Sequence, residues 1–150
     1  MTESERINFE EPIPQMIERL KSEHIFFESK LAEVEVNIKK NDIECAAEII
    51  QSISEKITRH AIEEEARLMR VIMHKAKNQS AESIKVLQEH NWIMNFLKNR
   101  VMTIENASTD PNEYEQAKEN LNDFVNKLRN HFREEEAIVF PLTLKVEAAK

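Results

Sequence analysis

The chain has 150 residues, 41% hydrophobic and 33% charged, with a formal net charge of −7. That is enough chain for one folded domain, and it lacks the basic footprint that nucleic acid or an anionic membrane surface demands. Glycine is absent, where average usage gives about ten residues, and its absence excludes the phosphate-cradling loops and most tight β-hairpins.

Breakers divide the rest into helices. Pro12 and Pro14 close an N-terminal arm, taken as residues 1–13, and proline is tolerated in a first helical turn. Asn41-Asp42 interrupts the next charged stretch and offers a cap. Asn78-Gln79-Ser80 is the following polar break. Ser108-Thr109-Asp110-Pro111 is the clearest start signal: Asp110 as cap, Pro111 at the first helical position and Glu113 completing an acidic capping box. Pro141 is expected to end or kink the last long helix. The prediction is four helices over about 14–39, 42–74, 82–106 and 111–140, with a short helical tail, from breakers and spacing.

Apolar residues keep a three-and-four rhythm on each segment. The seams are Ile13, Ile17, Leu20, His24, Phe27, Leu31, Val34 and Ile38, then Ala46, Ile50, Ile53, Ile57, His60, Glu64, Leu68 and Val71. The third is Leu87, His90, Met94, Leu97, Val101 and Ile104. The fourth is Tyr114, Ala117, Leu121, Phe124, Leu128, His131, Glu135, Ile138 and Leu142. This is the a/d rhythm of bundle packing, and the expected fold is all-α: an antiparallel up-down-up-down four-helix bundle over residues 14–150.

Six polar residues interrupt these seams: His24, His60, Glu64, His90, His131 and Glu135. His60-x-x-x-Glu64 and His131-x-x-x-Glu135 each project from one helical face. With a rise of 1.5 Å per residue, His24 and His60 lie roughly 24 and 27 Å from the first connection, and His90 and His131 roughly 24 and 30 Å from the third. All six therefore meet at one level. One mismatch remains, because a second helix reaching 74 overshoots His60 by roughly 21 Å, against about 12–15 Å before His90. Either that helix ends near 70 or the 72–82 connection folds back over the bundle end.

Gathering two carboxylates and four imidazoles in a core without a metal carries a desolvation cost that ion pairing seldom recovers. A pair of cations removes it. Each helix pair supplies two imidazoles and one carboxylate, suited to two metals sharing two carboxylates. Nitrogen and oxygen donors with open positions fit redox iron better than closed zinc or oxygen-only magnesium sites.

At these residues the chain resembles the hemerythrin-like (HHE cation-binding) family, and the likeness spans about residues 14–140. Oxygen-carrying hemerythrins have His-x-x-x-His on the third helix and His-x-x-x-x-Asp on the fourth. Here Met94 follows His90 by four residues, and the last element is His131-x-x-x-Glu135. That pattern is similar to the Repair of Iron Centres di-iron proteins, without their cysteine-containing N-terminal domain. The resemblance implies iron at His24, His60, Glu64, His90, His131 and Glu135, with Glu64 and Glu135 bridging. The expected cofactor is two non-haem iron ions with an oxo or hydroxo bridge.

The expected function is iron donation in repair of iron–sulfur centres under nitrosative or oxidative stress. The competing readings are oxygen or nitric oxide binding or sensing, and nitric oxide or peroxide reduction, so whether the chain is an enzyme stays open. Expected partners are a diatomic ligand or an iron-accepting protein, with neither nucleic acid nor membrane.

The lone Cys45 excludes an internal disulfide and suits the cytoplasm. Cytoplasmic placement also follows from an N-terminus without an apolar leader and the lack of an 18-residue apolar run. Met94, Phe27, Trp92, Tyr114 and Phe124 read as packing groups, Cys45 as a buried thiol, and His74 as an end-of-bundle residue. The Glu and Lys runs read as solvated faces.

Overall fold

The computed structural model describes residues 7–100 and 111–148. Among them there are four long helical segments and no strand. The first, α1 (Ile13–Lys39), buries every residue of its expected seam. It ends at a tight turn in which Asn41 takes φ 61°, a left-handed conformation that asparagine tolerates better than most residues. The Asn41 carbonyl accepts the Tyr114 hydroxyl, and its side-chain oxygen accepts Lys118 Nζ at 2.8 Å. Asp42 then caps the next helix by accepting the Cys45 amide at 3.1 Å.

The second segment, α2, covers 43–75: an α-helix over Ile43–Glu63, a π-helical turn over Glu64–Met69, and a further α-helix over Arg70–Lys75. It does not stop near 70. A single 3-10 turn, Lys77–Gln79, leads into α3, which covers 80–100 as an α-helix (Ser80–Asn95) and a second π-helical turn (Phe96–Arg100). The expected cap Asp110 and seam residues Val101 and Ile104 lie outside the described residues. The last segment, α4, covers 111–148, with a third π-helical turn, Glu135–Val139, between Pro111–Glu134 and Phe140–Ala148.

Three expectations need correction here, one of them the seam after Glu64 and Glu135, where Ile72, Val139 and Thr143 are buried in place of Val71, Ile138 and Leu142. Pro141 does not separate a tail from the bundle, for the helix runs through it to Ala148. A proline inside a helix removes one backbone donor and crowds the carbonyl four residues back; at Pro141 the preceding turn is already wound as a π-helix. The seam of α3 is also turned. Val86, His90, Ile93 and Phe96 are buried, whereas Leu87, Met94 and Leu97 are only partly so. This segment carries apolar residues on several faces, Ile84 and Trp92 among them, so periodicity alone could not select the inward one.

The core forms two apolar clusters. One joins Phe27–Ile38 positions of α1 to Ala46, Ile50 and Ile53 of α2, Ile93 and Phe96 of α3, and Leu121, Phe124 and Leu128 of α4. The other joins Ile13, Met16, Ile17 and Leu20 to Leu68, Met69, Ile72, Val86, Val139 and Phe140. Along the helices the six polar seam residues fall where one cluster gives way to the other, with Phe132 of the first cluster next to His131. Burying large apolar side chains on both sides contributes roughly 1.5–3 kcal/mol per residue and keeps the intervening layer dry. No helix among the described residues is long and apolar enough to cross a membrane.

Candidate metal centre

The six seam residues come together. His24, His60, Glu64, His90, His131 and Glu135 are each 0–3% exposed. Glu135 sets Oε1 2.9 Å from Nε2 of His24 and 3.7 Å from Nε2 of His60. Its Oε2 lies 3.0 Å from Nε2 of His131 and 3.8 Å from Nε2 of His90. Glu64 is divided the same way, with Oε2 3.4 Å from Nε2 of His60 and Oε1 3.2 Å from Nε2 of His90.

Two overlapping donor sets result: His24, His60, Glu64 and Glu135, and Glu64, His90, His131 and Glu135, each with ligand atoms within 4.8 Å of one another. Each carboxylate therefore faces both imidazole pairs.

The hydrogen bonding inside this layer is incomplete. Both Glu64 carboxylate oxygens, Oε2 of Glu135 and Nε2 of His90 are buried without an aligned partner, although buried polar groups are nearly always satisfied. Nε2 of His24 and Nε2 of His60 stand 3.1 Å apart, a hydrogen bond when only one of them carries a proton, and both nitrogens are aimed into the same layer. A cation that accepts from the unpartnered atoms removes that deficit, so the donor set fits a metal ion.

The outward ring nitrogens meet a second set of carboxylates that was not anticipated. Nδ1 of His24 lies 2.9 Å from Glu136, and Nδ1 of His60 2.8 Å from Glu23. Nδ1 of His131 lies 3.1 Å from Glu89, and Nδ1 of His90 3.4 Å from Glu65. Such partners fix the ring and its tautomer so that Nε2 points at the metal. The acidic runs are thus not solvated faces alone, since Glu65 and Glu136, next to the buried Glu64 and Glu135, anchor the rings of His90 and His24. Glu63 is buried as well, between Arg19 and Arg59.

The signal for these residues was a repeat longer than the one read from the ligands. Arg19-x-x-x-Glu23-His24 with His60-x-x-Glu63-Glu64-Glu65 is answered by Lys85-x-x-x-Glu89-His90 with His131-x-x-Glu134-Glu135-Glu136. Arg19 pairs with Glu63 as Lys85 pairs with Glu134.

Charge follows geometry. Burial opposes a proton on His90, yet Glu135, Glu64 and Glu65 override it and raise the ring to about 11. At His131 burial is likewise outweighed, chiefly by Glu135, and the ring is raised to about 9. His60 is also raised, by Glu64, Glu135 and Glu23 against its burial. Glu135 is held well below the ordinary carboxylate range, because His131 and His24 outweigh complete burial.

The remaining expectations divide. Phe27 meets His60 edge-on at 5.5 Å, and Trp92 stacks on Phe96 and Phe124. Met94 packs beside the larger cluster and accepts a contact from the Thr58 hydroxyl at 3.4 Å. Cys45 is half-buried rather than buried, and His74 is exposed.

The fold and the buried donors define a metal-ion site in an all-helical bundle. The family model described as the Hemerythrin HHE cation binding domain matches residues 85–150, a segment that holds His90, His131 and Glu135, and the match supports a hemerythrin-like assignment. No curated protein and no solved structure gave a match.

Proposed function

We propose that this chain is a cytoplasmic, hemerythrin-like, non-haem di-iron protein in an up-down-up-down bundle. His24 and His60 would hold one iron and His90 and His131 the other, with Glu64 and Glu135 available to both. The observation that carries this reading is the division of each carboxylate, one oxygen toward each imidazole pair. Four imidazoles and two carboxylates satisfy the preferences of iron, and bound iron supplies redox chemistry and affinity for small diatomic ligands. The chain's own residues do the rest. Glu23, Glu65, Glu89 and Glu136 orient the rings, while Phe27, Phe132 and Phe140 keep water from the His24–His60 side.

The role we assign is iron donation to damaged iron–sulfur centres under nitrosative or oxidative stress. The test is metal analysis of protein purified without oxygen, followed by transfer to an apo iron–sulfur protein. About two irons per chain and transfer above the free-iron background are expected. Zinc alone, with no uptake of iron by apoprotein, rejects the di-iron reading; absence of transfer rejects donation. A second reading is favoured by the donor count, two imidazoles and two shared carboxylates per metal, which leaves positions for oxygen or nitric oxide. Sustained turnover of nitric oxide or peroxide under an electron supply marks an enzyme, and stoichiometric consumption a binder.

A further inference from the structure

The two halves of the site share a motif but not a setting. On one side, His24 lies face to face with Phe132 at 4.2 Å and with Phe140 at 5.6 Å, and His60 meets Phe27 and Phe132 edge-on. On the other, only His131 reaches a phenylalanine, Phe132 at 6.1 Å, although the two imidazoles of each pair lie the same 4.9 Å apart. The outward anchors follow suit. Those of His24 and His60 are 2.9 and 2.8 Å long, those of His131 and His90 3.1 and 3.4 Å, and Nδ1 of His90 has no aligned hydrogen bond.

The outer cations differ most. Arg19 donates to Glu23 at 2.9 Å and to Glu11 at 3.2 and 2.8 Å, and it also grips the buried Glu63. Its counterpart Lys85 makes a 3.0 Å pair with Glu134 between side chains 51% and 37% exposed. A guanidinium fork holds several carboxylates in fixed directions, whereas an exposed ammonium is a mobile point charge and its pairs contribute little.

From this asymmetry we infer that the metal held by His24 and His60 is retained and the metal held by His90 and His131 is the exchangeable one, with Arg19 as the positioning residue that sets the difference. The inference rests on the di-iron reading above. Ligands already locked in place lose little freedom on binding, and outer partners of a ligating histidine commonly set metal affinity by about 10–100-fold. Arg19 acts through Glu23, which orients His60, and through Glu63, which neighbours Glu64 in sequence.

The experiment uses the full chain loaded with ferrous iron without oxygen and challenged with a colorimetric ferrous chelator. Release is expected in two phases of about one equivalent each, with rates at least about tenfold apart. His90→Ala removes the fast phase and leaves one slowly released equivalent. Arg19→Ala speeds the slow phase about tenfold and leaves the fast phase in place; a general loosening of the fold would move both. Arg19→Lys, which keeps the charge without the fork, gives an intermediate rate, and serves if Arg19→Ala does not fold. Lys85→Ala changes either phase by less than about twofold.

Two equivalents leaving at one rate overturn the inference and spare the di-iron reading, as does His90→Ala removing the slow phase instead. A chain that takes up one equivalent or none overturns that reading and the inference together.

Discussion

Glu64 and Glu135 are each the first residue of a π-helical turn. Beyond each of them the buried positions fall at the same offsets: Leu68, Met69 and Ile72 after the first, Val139, Phe140 and Thr143 after the second. A π turn accommodates one more residue than an α turn, and such turns concentrate at functional sites. The extra residue explains why the expected seam slips by one position, so that Val71, Ile138 and Leu142 yield to Ile72, Val139 and Thr143.

Deleting Ala66 tests this account. Without it Met69, Ile72 and Ala76 stand four, seven and eleven positions after Glu64, the spacing of an unbroken α-helix. The deletion variant is expected to unfold cooperatively within a few degrees of the parent. Inserting an alanine at the same place turns Met69 and Ile72 off the core and costs about 2–5 kcal/mol for each large side chain expelled. Thermal denaturation followed by circular dichroism compares the two, and equal losses would refute the register argument.

Metal uptake is expected to depend on pH. His90 and His131, raised to about 11 and about 9, are expected to carry protons at neutral pH in the metal-free protein, and His60 is shifted in the same direction by Glu64, Glu135 and Glu23. Ligating imidazoles must be neutral, so binding releases protons and tightens as pH rises. Metal-free stability runs the other way. The histidine contribution is complete below their ordinary value of 6.5 and is lost as pH climbs through about 9 and about 11. Glu135, held low, contributes fully above its ordinary value of 4.5, and that contribution fades as pH falls below it. Urea unfolding of metal-free protein should therefore give greatest stability between about pH 4.5 and 6.5. Rising stability from pH 6.5 to 9 would contradict the charge assignment.

The polar layer is expected to cost the fold something in the absence of metal. Replacing a buried ion pair by apolar residues of similar volume is often neutral or stabilising by about 1–4 kcal/mol. His60→Leu with Glu64→Leu should therefore leave or raise the metal-free melting temperature while abolishing stoichiometric metal binding. Calorimetry with and without ferrous iron reads both effects, and iron uptake undiminished by the double change would exclude these two residues as ligands.

Phe132 is the residue on which the aromatic side of the site converges, touching His24, His60, Phe27 and His131. Its truncation to alanine should cost about 3–5 kcal/mol in denaturant unfolding. A loss below about 1 kcal/mol would mean that the ring is not a packing element.

Much of the molecule is legible in its sequence. The inward seam of α1 could be read because its apolar residues keep to one face, and the six buried donors stood out because a histidine or glutamate at such a position is expensive. The phase of α3 was hidden by apolar residues on its other faces. The π turns were hidden because nothing in residues 64–69 or 135–139 departs from helix-forming composition. Glu23, Glu65, Glu89 and Glu136 were concealed by their surroundings: each sits beside another charged or ligating residue, where an acidic side chain ordinarily meets only water.

The doubled run of cation, glutamate and histidine followed by histidine and three glutamates has a combinatorial consequence. One helix pair encodes two imidazoles, one carboxylate and two struts, of which one serves its own histidine (Glu23 on His60, Glu89 on His131) and the other crosses to the opposite pair (Glu65 on His90, Glu136 on His24). Two copies of one plan of about fifty residues therefore generate every contact type in the layer. What distinguishes the halves is then carried by substitutions around a shared blueprint, Arg19 against Lys85, and Phe27, Phe132 and Phe140 against the equally buried Ile93, Ala61 and Met69. A change at Arg19 or Lys85 can therefore retune one half of the layer, whereas a change at Glu64, Glu135, Glu65 or Glu136 reaches across to the other.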